Sequence, residues 1–169
     1  VQNPACCLLV FGGTYPWVAW KVPYQDVAFE NTAACATGMK RALKIRGKDD
    51  TIVLGIAGDG GTADIGIQAL SGAAERNEDI LYVMYDNEAY MNTGIQRSSS
   101  TPFGSWTTTT PVGRLKAGKS NFKKDMPQIM MAHNVPYVAT TTVAHIQDFI
   151  NKFEKAKRIK GFRYVQVFA

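Results

Sequence analysis

The sequence predicts an α/β domain built on a doubly wound parallel sheet. Three observations carry that reading. An apolar run over residues 51–57 stops at Gly58-Asp59-Gly60-Gly61, and an amphipathic segment over residues 65–76 follows. A second apolar run, residues 80–85, then breaks into the polar turn 86–94, so strand, helix and strand follow one another as a βαβ unit with parallel strands. The alternation resumes near the C-terminus. There residues 136–140 read as a strand, Ile146, Phe149, Ile150 and Phe153 recur at helical spacing, and residues 163–168 read as a final strand. No repeat or linker divides the 169 residues, so residues 1–169 are expected to form a single domain.

Taken in order, residues 10–17 mix glycine, proline and aromatics and read as an ordered loop. Trp17, Trp20 and Tyr24 read as core or interface packing. A helix is expected over residues 31–46, with Glu30 capping its start and Gly47 as its stop. Lys40, Arg41, Lys44 and Arg46 in its later turns suit the negative end of the helix and a solvated face. Cys35, inside it, reads as a small buried residue. Residues 91–120 show little regular pattern, and a loop that long in a compact domain is expected to serve function. Arg97 in it reads as a surface residue. Within the same stretch, residues 113–120 satisfy GxxxxGK[ST], the nucleotidase phosphate loop, with Lys119 as its lysine. That motif needs an apolar strand before it and a sound helix after it. Thr107 to Thr110 and Pro111 precede instead, and Pro127 is expected to interrupt the helix on the far side, at a cost of ~3 kcal/mol inside a helix. The nucleotidase reading is therefore set aside, and Lys119 is expected at the surface. His133 and His145 lie beside helix ends and read as capping or surface residues.

Composition narrows the class. A 46% hydrophobic content is ample for one core. No apolar run reaches the ~18–20 residues of a membrane span, and residues 1–4 are no secretory leader, so a cytoplasmic protein is expected. The net charge of +5 comes from lysines and arginines spread over helices, with no nucleic-acid-binding motif beside them. Three cysteines, Cys6, Cys7 and Cys35, are an odd number outside any secretory context and do not form a disulfide framework.

The chemistry lies at the ends of the βαβ strands. Asp59 and Asn87 are 28 positions apart, yet parallel strands end at one edge, the edge where open α/β sheets bind ligands. A carboxylate and an amide oxygen facing one point suit Mg²⁺, which is usually held by one or two protein groups together with phosphate oxygens and water. Gly58, Gly60 and Gly61 let backbone N–H groups close on an anion at the start of the following helix. The expected ligand is a diphosphate carrying its metal.

A GDG followed after nearly thirty residues by an asparagine turn resembles the thiamine-diphosphate motif. The longer string YDNEAYMNTGIQRSSSTPFGSWTTTTPVG resembles the β subunits of the 2-oxoacid:ferredoxin oxidoreductase family, in particular those that act on pyruvate, and the likeness runs over nearly the whole chain. The resemblance implies a thiamine-diphosphate-binding fold. It places Mg²⁺ on Asp59, the Asn87 side chain and the Ala89 carbonyl, with Asn92 near the cofactor and the substrate carbonyl, and it assigns Gly58, Gly60, Gly61 and Thr93 to the cofactor. It further implies oxidative decarboxylation of a 2-oxo acid, with coenzyme A taking the acyl group and ferredoxin the electrons. Partner subunits would supply, among other groups, the glutamate that activates the coenzyme. Residues 3–10 resemble the segment that gives one thiolate, here Cys7, to an iron–sulfur cluster, although the family usually has glycine where Cys6 stands. Four thiolates are needed, and the family's other cysteines have no counterparts here, so the chain reads as an incomplete subunit. Other 2-oxo acids of the family (branched-chain acids, 2-oxoglutarate, oxalate) and a non-oxidative thiamine enzyme remain open alternatives.

Overall fold

The structure is a computed structural model that describes every residue except Thr14, Trp17 and Ala19. Among the described residues six parallel strands form one sheet: β1 (Gln2–Pro4), β2 (Gln25–Val27), β3 (Val53–Gly58), β4 (Ile80–Asp86), β9 (Tyr137–Thr142) and β10 (Arg163–Phe168). Between β4 and β9 the chain forms two short antiparallel pairs, β5 (Ala89–Tyr90) with β6 (Gln96–Arg97) and β7 (Val112–Gly113) with β8 (Lys116–Ala117). The order across the main sheet is β2-β1-β3-β4-β10-β9. The apolar runs of the sequence account for four of its strands. β1 and β2 are three residues each and too short to announce themselves.

Alternation along the central strands explains why both sheet faces are buried. Ile80, Tyr82 and Met84 of β4 join Tyr164 of β10 on one face, against Ala33 and Ala36 of α2 (Thr32–Ile45), Leu70, Ala73 and Ala74 of α3 (Ile67–Glu75), and Met126 and Met130 of α4 (Met126–Ala132). Leu81, Val83, Val165 and Val167 point the other way, toward Phe149 and Phe153 of α5 (Ile146–Arg158). Fully burying a side chain such as Leu70 or Ile80 is worth roughly 1.5–3 kcal/mol, so these two layers hold the strand ends in register.

Several sequence expectations are corrected. Residues 10–12 belong to a short helix, α1 (Cys7–Gly12), and not to a loop; Trp17 lies outside the described residues, while Trp20 stacks on Tyr24 with centroids 4.9 Å apart. Asn31, not Glu30, sits at the cap of α2. Cys35 is half-buried. Lys40 is not solvated: its ammonium is buried between Asp79, 3.0 Å away, and Asp49, 3.3 Å away. Pro127 does not break α4; it occupies the first turn, where no intrahelical donor is lost, behind an Asp125 cap that accepts from Gln128 N–H at 3.0 Å. Of the four apolar residues at helical spacing on α5, Phe149 and Phe153 pack on the core, together with Ala156, whereas Ile146 and Ile150 are exposed. His133 and His145 lie at helix ends, as expected. Among the described residues no helix is long and apolar enough to cross a membrane.

The nucleotidase string has no phosphate-loop geometry. Its first half is the exposed hairpin of β7 and β8, with Leu115 at the tip. Lys119 beyond it is 2% exposed, contrary to the surface position expected.

Candidate active site

The strand order reverses beside β1, which leads outward to β2 on one side while β3 and β4 continue on the other. Such a switch leaves a crevice outside the carboxyl ends of the strands. Residues that follow three different strands line a cavity there: Ala5 to Cys7 after β1, Gly58 to Gly61 after β3, and Ala89 to Thr93 after β4. The cavity measures about 60 Å³, the share of roughly two water molecules. It has room for part of a phosphate-bearing ligand, and the remainder would project beyond this chain's surface.

The glycine turn is not an open loop. Asp59 takes helical angles immediately after β3, and Gly60–Asp64 forms one π-helical turn; such turns recur at functional sites. The reason for glycine at position 60 is close approach rather than unusual backbone angles, because a Cβ there would collide with the Tyr90 ring. The Tyr90 hydroxyl in turn donates to Asp64 at 2.7 Å, which pins the second turn to the first.

Asp59 and Asn87 meet, as the parallel crossover requires. Asn87 Oδ1 stands 3.1 Å from Asp59 Oδ1 and 2.8 Å from the Ala89 carbonyl oxygen. In the opposite orientation of the amide its nitrogen takes that place and donates to both oxygens. With the oxygen inward, the Asn87 amide would join the Asp59 and Ala89 oxygens as a donor set for a cation; with the nitrogen inward, it satisfies both oxygens without one. In an octahedron with metal–oxygen bonds of ~2.0–2.1 Å, adjacent oxygens lie about 2.9 Å apart, so the donor set and its spacing fit Mg²⁺. The same orientation directs Asn87 Nδ2 at Cys7 Sγ, 3.8 Å away.

Asp59 is buried, and burial pushes its carboxyl up to about 7; the Ser98 hydroxyl, which donates to Oδ2, opposes this, and nearby Asp86 adds to it. A dication would favour the carboxylate and undo the penalty. Asp86 itself is covered. It accepts from Gln166 Nε2 at 2.6 Å and pairs with Lys123 at 2.7 Å, and Lys123 also reaches Glu88 at 2.8 Å. Burial alone would lower the pKa of Lys123, but these two carboxylates outweigh it and raise it.

Asn92 and Thr93 are exposed at the cavity rim, with Thr93 bonded to the Tyr90 carbonyl at 3.4 Å. Arg97 is exposed, as expected. Cys7 lines the same cavity, whereas the Cys6 thiol faces Asn3 Oδ1 at 3.5 Å. Among the described residues no group of three or more histidine, cysteine or carboxylate side chains gathers as a metal site. This chain's cysteines therefore do not by themselves fit a four-iron cluster. Sequence reasoning missed Ser98, Tyr90 and Lys119. Their roles come from contacts across the long loop, and only the run Ser98-Ser99-Ser100-Thr101, rich in hydroxyl donors, could have signalled them.

Comparison with known proteins identifies the family. The chain is 56% identical over 161 residues to the pyruvate synthase subunit PorB of Methanothermobacter thermautotrophicus, covering 95% of this chain and 56% of that protein. It is 51% identical over 171 residues to the ketoisovalerate oxidoreductase subunit VorB of Pyrococcus furiosus, covering 98% and 55%. The chain thus spans little more than half the length of these relatives. Among solved structures, a 2-oxoglutarate:ferredoxin oxidoreductase from Magnetococcus marinus, with 2-oxoglutarate, coenzyme A and succinyl-CoA bound, superposes with a TM-score of 0.82 at 22% identity, over 99% of this chain and 52% of that one. A benzoylformate decarboxylase from Polynucleobacter necessarius follows the same fold, with a TM-score of 0.64 at 14% identity over 99% and 29% of the two chains. The family model for the thiamine pyrophosphate enzyme C-terminal TPP-binding domain matches residues 17–167, and the chain belongs to that family.

Proposed function

We propose that this chain is the thiamine-diphosphate-binding part of a pyruvate:ferredoxin oxidoreductase, a cytoplasmic complex that converts pyruvate and coenzyme A to acetyl-CoA and CO₂ and reduces ferredoxin, reversibly. The observation that carries this reading is the meeting of three groups from different turns, with the Asn87 amide 3.1 Å from Asp59 Oδ1 and 2.8 Å from the Ala89 carbonyl. Those three groups would hold Mg²⁺, and Gly58, Gly60 and Gly61 would let the backbone approach the diphosphate. Thr93 and Asn92 at the rim would orient the cofactor and offer hydrogen bonds toward the substrate carbonyl. Thiamine diphosphate, when bound, supplies the electron sink for loss of CO₂ from a 2-oxo acid.

The residues lining the cavity include one carboxylate, Asp59, and its oxygens are committed to Ser98 and to the cation. As the family resemblance implies, a glutamate of a partner subunit would activate the coenzyme, and this chain alone is expected to be inactive. Cys7 would give one thiolate to an iron–sulfur cluster whose remaining ligands these residues do not supply. The unit is a single domain of a hetero-oligomer.

A branched-chain 2-oxo acid is the second reading, because the VorB relative is nearly as similar as the PorB one. The test is a thiamine-diphosphate titration of the intact complex with and without Mg²⁺, for wild type and Asp59→Ala. Binding that requires Mg²⁺ and is lost in the variant supports the assignment; Mg²⁺-independent binding, unchanged by the substitution, refutes it. Ferredoxin reduction with pyruvate and with ketoisovalerate then ranks the substrates.

A further inference from the structure

Lys119 is a buried ammonium with no carboxylate within ion-pair distance among the described residues. Its Nζ donates to two backbone carbonyls, Thr101 at 2.5 Å and Ser99 at 3.2 Å. Burying a charge in this way is costly unless its hydrogen bonds are used, and the repulsion of Arg97 adds to the burial that lowers its pKa. The segment that carries it is fastened by its own backbone, Lys119 N–H to Ser105 O at 3.0 Å and Gly104 N–H to Lys119 O at 2.8 Å. A lysine held so firmly against two carbonyls fixes the turn to which they belong.

That turn, Ser98 to Thr101, touches both strand ends that converge on the candidate cation position. Ser98 Oγ donates to Asp59 Oδ2, and itself accepts from Ser100 N–H at 3.1 Å. Thr101 Oγ1 accepts from Ser98 N–H at 2.9 Å and donates to the Glu88 carbonyl at 2.5 Å, one residue before Ala89. Ser99 N–H donates to Asp64 at 3.1 Å, at the end of the π turn. With Oδ2 occupied by Ser98, the other oxygen of Asp59 is the one left facing Asn87 and Ala89.

We propose that Lys119 is a positioning residue for metal binding: by holding the Ser99 and Thr101 carbonyls it sets the turn that presents Ser98 to Asp59 and Thr101 to the Glu88 carbonyl. This rests on the Mg²⁺ and thiamine-diphosphate reading above and adds to it the device that divides the two oxygens of Asp59 between a hydroxyl and the cation. The residue that makes the segment resemble a nucleotide-binding loop thereby braces a different phosphate site from outside.

The test uses the intact complex and measures the Mg²⁺ concentration that half-saturates thiamine-diphosphate binding, followed by intrinsic fluorescence. Lys119→Met and Ser98→Ala should each raise that concentration about tenfold. Because both act through one turn, the double variant should be no more than about threefold worse than the worse single one. Thermal unfolding with and without Mg²⁺ separates positioning from general support: loss of positioning shrinks the stabilisation that Mg²⁺ confers, whereas loss of support lowers both melting temperatures equally. An unchanged Mg²⁺ requirement in Lys119→Met, or single effects that multiply in the double variant, overturns the proposal. Should Lys119→Met fail to assemble, Ser98→Ala decides, and an unchanged Mg²⁺ requirement there overturns it as well. Asp59→Ala in parallel distinguishes the two levels: if it leaves binding intact, the metal reading itself fails, and if only Lys119→Met is silent, the positioning role alone falls.

Discussion

Asp59→Asn should stabilise the metal-free complex at pH 8 while removing its ability to retain Mg²⁺ and thiamine diphosphate. An ordinary aspartate ionises near 3.8, and burial raises Asp59 to about 7. For an acid whose pKa is higher in the fold, the folded state keeps a proton that the unfolded state has released. Stability therefore falls as pH rises from about 4 to about 7 and stays low above that window. The difference is worth at most roughly 4 kcal/mol at pH 8, less where Asn87 turns its amide nitrogen to Asp59, and less than about 1 kcal/mol near pH 4. An amide at the same position keeps an oxygen for the Ser98 hydroxyl and carries no such penalty. In a domain of this size each kcal/mol moves the melting temperature by about 2–4 °C, so the metal-free variant should melt higher at pH 8, by up to roughly 10 °C, and close to wild type at pH 4. Saturating Mg²⁺ and thiamine diphosphate should reverse the order, because only the carboxylate gains a cation. Differential scanning calorimetry at the two pH values, with and without ligands, reads all of this. A metal-free variant less stable than wild type at pH 8, or a gap that ignores pH, would refute the reasoning.

The neighbouring contacts set three more outcomes. Gly60→Ala drives a methyl group into the Tyr90 ring, so overpacking should cost about 1–3 kcal/mol, and thiamine-diphosphate affinity should fall with it; truncating Tyr90 to Ala in the same chain should recover stability but not the Tyr90–Asp64 bond. Lys40→Met removes the 3.0 Å partner of Asp79, but Arg163 and Lys160 still pair with that carboxylate, so the loss should cost only about 1–2 kcal/mol by chemical denaturation, with the Mg²⁺ requirement for cofactor binding unchanged, since the pair sits at the opposite end of the sheet. Cys7→Ser should lower the iron and acid-labile sulfide content of the assembled complex while thiamine diphosphate still binds; full iron content would remove Cys7 from the cluster.

The sequence by itself determined four of the six strands of the sheet. Residues 51–57, 80–85, 136–140 and 163–168 are apolar runs punctuated by Gly58, Asp86 and the turns beyond, and they lie on the four strands that carry the core. Parallel strands joined by a crossover must end together, which is why the order of elements along the chain is enough to bring Asp59 and Asn87 to one point. Only tertiary structure decided what surrounds that point. Lys40 and Lys119 look like solvated lysines because nothing local marks a buried ammonium; their acceptors, Asp79 and the Ser99 and Thr101 carbonyls, are 39, 20 and 18 positions away in the chain. The sequence marks Gly60 as a residue that frees the backbone for an anion; that the Tyr90 ring, thirty residues later, also forbids a side chain there is decided by the fold. Strand and helix propensities are set by neighbours in sequence, but the long loop that follows Ala89 has no period of its own, and its course is fixed by hydrogen bonds that exist only once the sheet has formed.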